Sequence, residues 1–136
     1  MEITRRKPLT ARIGLFCVGH TTYWRQYPGL LDELLGYHAI IRARIETHGV
    51  EVTDFGMTDS AESAYALARE LKRGDFDLVF CNLATYATSA TWGVMVREIT
   101  APIVLIGLQP LRSLDMGTYT THRQLANDQV VAYSEF

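Results

Sequence analysis

Four short apolar runs alternate with segments of helical periodicity, and this alternation limits the fold more than any single motif. Ile13 to Val18 (IGLFCV) is continuously apolar, as expected of a strand covered on both faces. Pro28 then opens a helix, with Leu30, Leu31, Leu34, Leu35, Ile41 and Ile45 recurring at three- and four-residue spacings. Gly49 follows at the place of a left-handed C-cap. A second strand begins at Val50 (VEVTDF). Asp59 or Ser60 caps the next helix, with Glu62 placed for a capping box from Asp59. Its inner face is Ala61, Ala64, Tyr65, Ala68 and Leu71, and Gly74 ends it. Phe76 to Leu83 (FDLVFCNL) is a third strand. Thr88 to Thr100 is a third helix with Trp92, Val96 and Ile99 inward, and PIVLIGL from Pro102 is a fourth strand.

Strands joined by crossover helices run parallel, and right-handed crossovers put helices on both faces of the sheet. The expected fold is α/β: a three-layer sandwich around a doubly wound, flavodoxin-like parallel sheet of about four strands in the order 2-1-3-4. Ligands of such sheets gather at the carboxyl ends of the strands, at the switch between the first and the third. Three loops meet there: GHTTYW (Gly19 to Trp24), NLATYATS (Asn82 to Ser89) and LQPLRS (Leu108 to Ser113). Their hydroxyls, amides and aromatics suit a neutral, hydroxyl-rich ligand of polyol or sugar type, or a partner subunit. In this reading Tyr23 and Trp24 are exposed beside His20 and contribute little to the folding of their own domain.

Composition removes other classes. At 136 residues and 48% apolar content, residues 1–136 read as one domain that buries roughly 68% of its unfolded surface. Thirteen basic and 15 acidic side chains give a net charge of −2, which provides no footprint for nucleic acid or an anionic membrane. MEITRRKPL lacks the apolar core of a signal peptide, and no apolar stretch approaches the ~18 residues of a membrane span, so the expected compartment is the cytoplasm. Cys17 and Cys81 sit inside strands and read as reduced core cysteines.

Several chemistries lack their residues. A dinucleotide fingerprint needs a glycine series where only Gly19 stands. Thr21 and Thr22 offer a foothold to a flavin phosphate, but Trp24 and Arg25 crowd the backbone amides that must face it. A phospho-accepting receiver needs acidic groups where Gly19, His20 and Asn82 occur. The four histidines form no HxH or HExxH pair, so no complete metal site is visible. His38 falls on the helix face of Leu34 and Ile41 and reads as a half-buried packing residue, and His48 complements a helix C-terminus.

The order of these features carries a resemblance. A strand ending in Val18 to Trp24, then TYATSATW (Thr85 to Trp92), then IGLQPL with Gln109, then LDMGTYTTHRQLAND resembles the N-terminal domain of the L-arabinose isomerase and L-fucose isomerase superfamily, from about Arg12 onward. Gly19 matches the family's first loop and Tyr23 falls within a residue of its tyrosine, while that loop's substrate-contacting glutamine has no counterpart. Thr85, Tyr86 and Trp92 follow the third-strand loop, Asp115 and Met116 match an Asp-Met pair, and His122 and Gln124 approximate a later Gln and His.

The resemblance implies an aldose–ketose isomerase in which a divalent metal, usually Mn²⁺, holds adjacent sugar oxygens while a proton moves between neighbouring carbons. It places the metal ligands and catalytic carboxylates in later domains, so no catalytic residue and no metal ligand is expected here. The chain is then expected to be an N-terminal fragment or an incomplete gene product, stopping inside the helix that HRQLANDQVVAYSEF opens, with its strand-end loops over the sugar site of a neighbouring subunit in a trimer or hexamer. Loops and resemblance together name His20, Thr21, Tyr23, Trp24, Thr85, Tyr86, Gln109, His122 and Gln124 as substrate-binding. The alternative is a stand-alone flavodoxin-like domain that binds a small ligand or a protein.

Overall fold

A computed structural model describes residues 9–127 of the chain. Its strands are β1 (Arg12–Val18), β2 (Glu51–Thr58), β3 (Leu78–Leu83) and β4 (Ile103–Ile106), and its helices α1 (Thr21–Gln26), α2 (Leu30–Glu46), α3 (Ala61–Arg73), α4 (Ser89–Val96) and α5 (Thr121–Ala126). The four strands form an all-parallel sheet in the order β2-β1-β3-β4, the flavodoxin-like arrangement that the alternation predicts. Among the described residues no helix is long and apolar enough to cross a membrane.

β1 lies between β2 and β3 and is buried from Ile13 to Val18, which explains its unbroken apolar run. Odd and even positions feed separate cores. Phe16 and Val18 join Val79, Cys81 and Leu83 of β3 under Ala64, Leu67 and Leu71 of α3 and Met95 of α4. On the other face Cys17 packs with Leu30 and Leu34 of α2 and Leu125 and Ala126 of α5. Leu30 and Leu34, almost fully enclosed, each stabilise the fold by about 1.5 to 3 kcal/mol. Cys17 and Cys81 are buried free thiols, pushed far up in pKa first by burial, so neither is a nucleophile at neutral pH.

Local chemistry moves several expected boundaries. α2 starts after Pro28, at Leu30, because Gly29 takes the cap position in the left-handed region (φ 84°). Ser60 rather than Asp59 caps α3, and Ser63 rather than Glu62 closes the box. Leu67 belongs to the inner face of α3, whereas Tyr65 is 58% exposed and Ala61 also faces out. α4 is shorter than expected and buries Met95, with Trp92 half-buried against Phe16 at 6.2 Å. The helix opened by HRQLAND is described as α5 through Ala126; the rest of that expectation, from Asp128, lies outside the described residues.

One irregularity shapes the end of β2. The register passes from Leu15↔Asp54 to Cys17↔Met57, so β2 holds an extra residue, and Gly56 sits there at φ 70°. Asp54 Oδ1 accepts from the Gly56 N–H at 2.8 Å and from His38 Nε2 at 2.9 Å, which turns the carboxylate under α2.

Candidate functional site

The first strand-end loop is not a loop. Gly19 N–H donates to Thr58 O (3.0 Å) and Thr21 N–H to Asp59 O (3.2 Å), tying the end of β1 to the end of β2. His20 then caps α1, its Nδ1 accepting from the Thr22 N–H at 3.2 Å. One turn of helix separates two faces. Thr21, Thr22, Arg25 and Gln26 line an outer cleft of about 470 Å³, while Tyr23 and Trp24 turn inward against the α2 core.

Tyr23 and Trp24 are therefore partly buried parts of their own domain, contrary to the exposed placement expected from sequence. Trp24 Nε1–H donates to Asp59 Oδ2 at 2.6 Å, and its ring lies over Gly19. A Cβ at Gly19 would stand 2.9 Å from Trp24 Cη2 and 3.0 Å from Met57 Sδ, so the glycine is required by the ring above it.

From His20 a chain of rings runs across the end of the sheet. His20 and Tyr23 have centroids 5.5 Å apart, Tyr23 and Tyr27 6.5 Å, and Tyr27 and His122 6.4 Å, the last pair edge-on at 86°. His122, from α5, continues to Glu33 of α2 through Nε2 and Oε2 at 3.0 Å, and the Tyr37 hydroxyl donates to Glu33 Oε1 at 2.8 Å. Burial raises the Glu33 carboxyl, but the hydrogen bonds from His122 and Tyr37 and the charges of His122 and Arg123 outweigh it and leave it below the ordinary value. The bond to that carboxylate, then burial, raises the Tyr37 phenol. Tyr37 also lines a pocket of about 270 Å³ with Ile40, Ile41, Leu108, Gln109 and Pro110.

The fold thus joins four of the expected residues, His20, Tyr23, Trp24 and His122, into one polar-aromatic surface, with Gln109 beside it across Tyr37. Thr21 lies on the outer cleft, Gln124 is exposed on α5, and Tyr86 is half-buried after β3. Thr85 is fully enclosed. Its Oγ1 and the Oδ1 of Asn82 are buried with no hydrogen-bond partner among the described residues.

Sequence reasoning missed Tyr27, Glu33 and Tyr37, and read Asp59 only as a helix-cap candidate and not as the acceptor of Trp24. It also placed His38 as half-buried packing, whereas it is 2% exposed and bridges Asp54, at 2.9 Å, to Asn82 Nδ2, at 3.3 Å. Glu33 and Tyr37 stand four apart on one helix, a spacing that signals a contact; Glu33 and His122 are 89 residues apart, and no local signal joins them.

Among the described residues no three His, Cys, Asp or Glu side chains converge on a common point. The side chains described therefore do not fit the divalent metal that the resemblance implies, and no chemical step is routed through it. No protein-family model matches the chain, and no curated protein matches it.

Proposed function

We propose that the chain is the N-terminal domain of a metal-dependent aldose–ketose isomerase of the L-arabinose and L-fucose type, contributing one wall of the sugar site of a neighbouring subunit in a homo-oligomer. The observation that carries this reading is the continuous surface His20–Tyr23–Tyr27–His122–Glu33, which brings the first strand-end segment against a segment near the other end of the chain. Those are two of the segments on which the resemblance rests. The tyrosines and histidines offer apolar ring surface for the C–H faces of a sugar and hydrogen-bonding edges for its hydroxyls.

In this role the domain binds, orients and keeps out water; the bond-changing chemistry belongs to carboxylates and a divalent metal, Mn²⁺ in the resembled family, held outside the residues described here. The unpaired thiols of Cys17 and Cys81 suit a reducing cytoplasm, where we place the protein.

A titration of the ¹⁵N-labelled chain with L-arabinose and with L-fucose tests the reading. One wall of a site binds weakly, so millimolar affinity, about −4 kcal/mol, is the expected scale. Chemical-shift changes should concentrate on His20, Tyr23, Trp24 and His122 and spare α3 and α4. Changes spread evenly over the surface, or none at all, would overturn the sugar reading. Saturable binding of a non-sugar ligand in the Tyr37–Gln109 pocket would favour the stand-alone binding domain instead.

A further inference from the structure

His122 is held from two sides. Nε2 lies 3.0 Å from Glu33 Oε2, and Tyr27 meets the ring edge-on. The other Glu33 oxygen is occupied by the Tyr37 hydroxyl at 2.8 Å. Arg123, the next residue on α5, also acts electrostatically on Glu33. An ionised carboxylate only accepts hydrogen bonds, so Nε2 carries the proton, and in the neutral ring Nδ1 is left as a lone-pair acceptor. Nδ1 has no hydrogen bond to a described residue, and the side chain is 36% exposed.

We infer that Glu33 and Tyr37 are positioning residues that lock His122 as its Nε2–H tautomer, so that Nδ1 accepts a hydrogen bond from a hydroxyl of the ligand. The ligand class rests on the sugar reading given above; the lock itself does not. His20 is set the opposite way. Its Nδ1 accepts from the Thr22 N–H, so the neutral ring presents Nε2–H as a donor. The ring chain therefore ends in a donor at His20 and an acceptor at His122; a hydroxyl can serve at either end, an ionised carboxylate at His20 alone.

Tyr37 gives the lock its rigidity. Glu33 has a flexible stem, and a carboxylate bonded at one oxygen only could swing away from the imidazole; bonded at both, it holds the ring plane as well as the tautomer. This arrangement resembles the way outer partners of a functional histidine fix which nitrogen is free.

Long-range ¹H–¹⁵N correlation spectra of the full chain, at a pH where the histidine rings are neutral, read the tautomer directly, with His122→Gln assigning the signal. The expected result is a dominant Nε2–H pattern for His122. In Glu33→Gln, whose amide both donates and accepts, the two tautomers should mix; in Tyr37→Phe, which keeps the carboxylate, the Nε2–H form should still predominate with a broadened signal. A wild-type ring that is mainly Nδ1–H, or a Glu33→Gln spectrum identical to wild type, overturns the inference. L-Arabinose is then titrated into the same samples, with roughly tenfold weaker binding expected for Glu33→Gln. A locked tautomer without sugar binding upholds the positioning role and sinks the sugar reading. Sugar binding of equal strength in wild type and a tautomer-mixed Glu33→Gln overturns the role of Nδ1 as the ligand's acceptor.

Discussion

Trp24 and Asp59, 35 residues apart in sequence, meet at 2.6 Å just beyond the ends of β1 and β2, the indole Nε1–H donating to the carboxylate. This bond fixes α1 on the sheet and turns the aromatic face of the helix toward the α2 core. Surface chemistry and folding are therefore coupled in the same six residues.

The coupling is measurable. Trp24→Phe keeps an aromatic ring and removes the donor, and should cost about 1.5 to 3 kcal/mol, the range for a hydrogen bond to a charged group. Trp24→Ala should cost more, about 3 to 5 kcal/mol if the ring is needed as fully as a core aromatic. Denaturant unfolding of both variants checks this. A loss below about 0.5 kcal/mol for Trp24→Ala would return the residue to the exposed role expected from sequence.

Gly19→Ala should act through the same ring. The added Cβ would lie 2.9 Å from Trp24 Cη2, and Asp59 holds the indole so that it cannot simply swing clear. A cost of about 1 to 3 kcal/mol is expected, with a changed near-ultraviolet dichroism of tryptophan. In a Trp24→Leu background the cost of Gly19→Ala should fall. Equal costs in both backgrounds would mean that Met57, 3.0 Å from the same Cβ, is the obstruction.

What could be read from the chain follows from where the decisive forces are local. β1 and β3 announce themselves because a strand buried on both faces must be apolar at successive positions. α1 does not, because Thr-Thr-Tyr-Trp-Arg-Gln is rich in β-branched and aromatic residues of modest helix propensity, and its helix is held by the His20 cap and the Trp24–Asp59 bond. The position of His38 on the inner face of α2 was visible in the helical period. Its partners were not, since Asp54 and Asn82 come from strands on either side of β1 and meet the ring only once the sheet order and the Gly56 bulge exist. His20 and His122 were both named from sequence, yet Tyr27 and Glu33, which connect them, carry no motif.

Acid should weaken the Glu33 contacts. The carboxyl is more acidic in the fold than its reference value of 4.5, so between the two values the unfolded chain binds more protons and stability rises with pH. The contribution is fully present above 4.5 and is lost as the pH falls through the folded value. The stability advantage of wild type over Glu33→Gln should accordingly shrink in that acid range, as followed by chemical unfolding at a series of pH values. An advantage that stays constant down to about pH 3 would mean that the carboxylate charge contributes nothing.

The Asp54–His38–Asn82 bridge makes the sharpest energetic prediction, because its members differ in what their removal leaves behind. His38 is 2% exposed and occupies both partners, so His38→Ala opens a cavity and leaves the Asn82 amide without its acceptor, while Asp54 keeps the Gly56 N–H and Arg42; about 3 to 5 kcal/mol is expected, most of it from the cavity and the amide. Asn82→Ala also removes a buried side chain, but it takes with it Oδ1, an acceptor with no partner among the described residues. Deleting an unsatisfied acceptor returns part of what the lost donor costs, so Asn82→Ala should be milder by about 1 to 3 kcal/mol. The two changes should also be non-additive, His38→Ala costing less once Asn82 is alanine, since the stranded amide is then gone. Denaturant unfolding of the two single variants and the double variant measures all three quantities. If Asn82→Ala proves as damaging as His38→Ala and the effects simply add, then Asn82 supports the sheet through its packing alone, and the bridge across β1 is not an energetic unit.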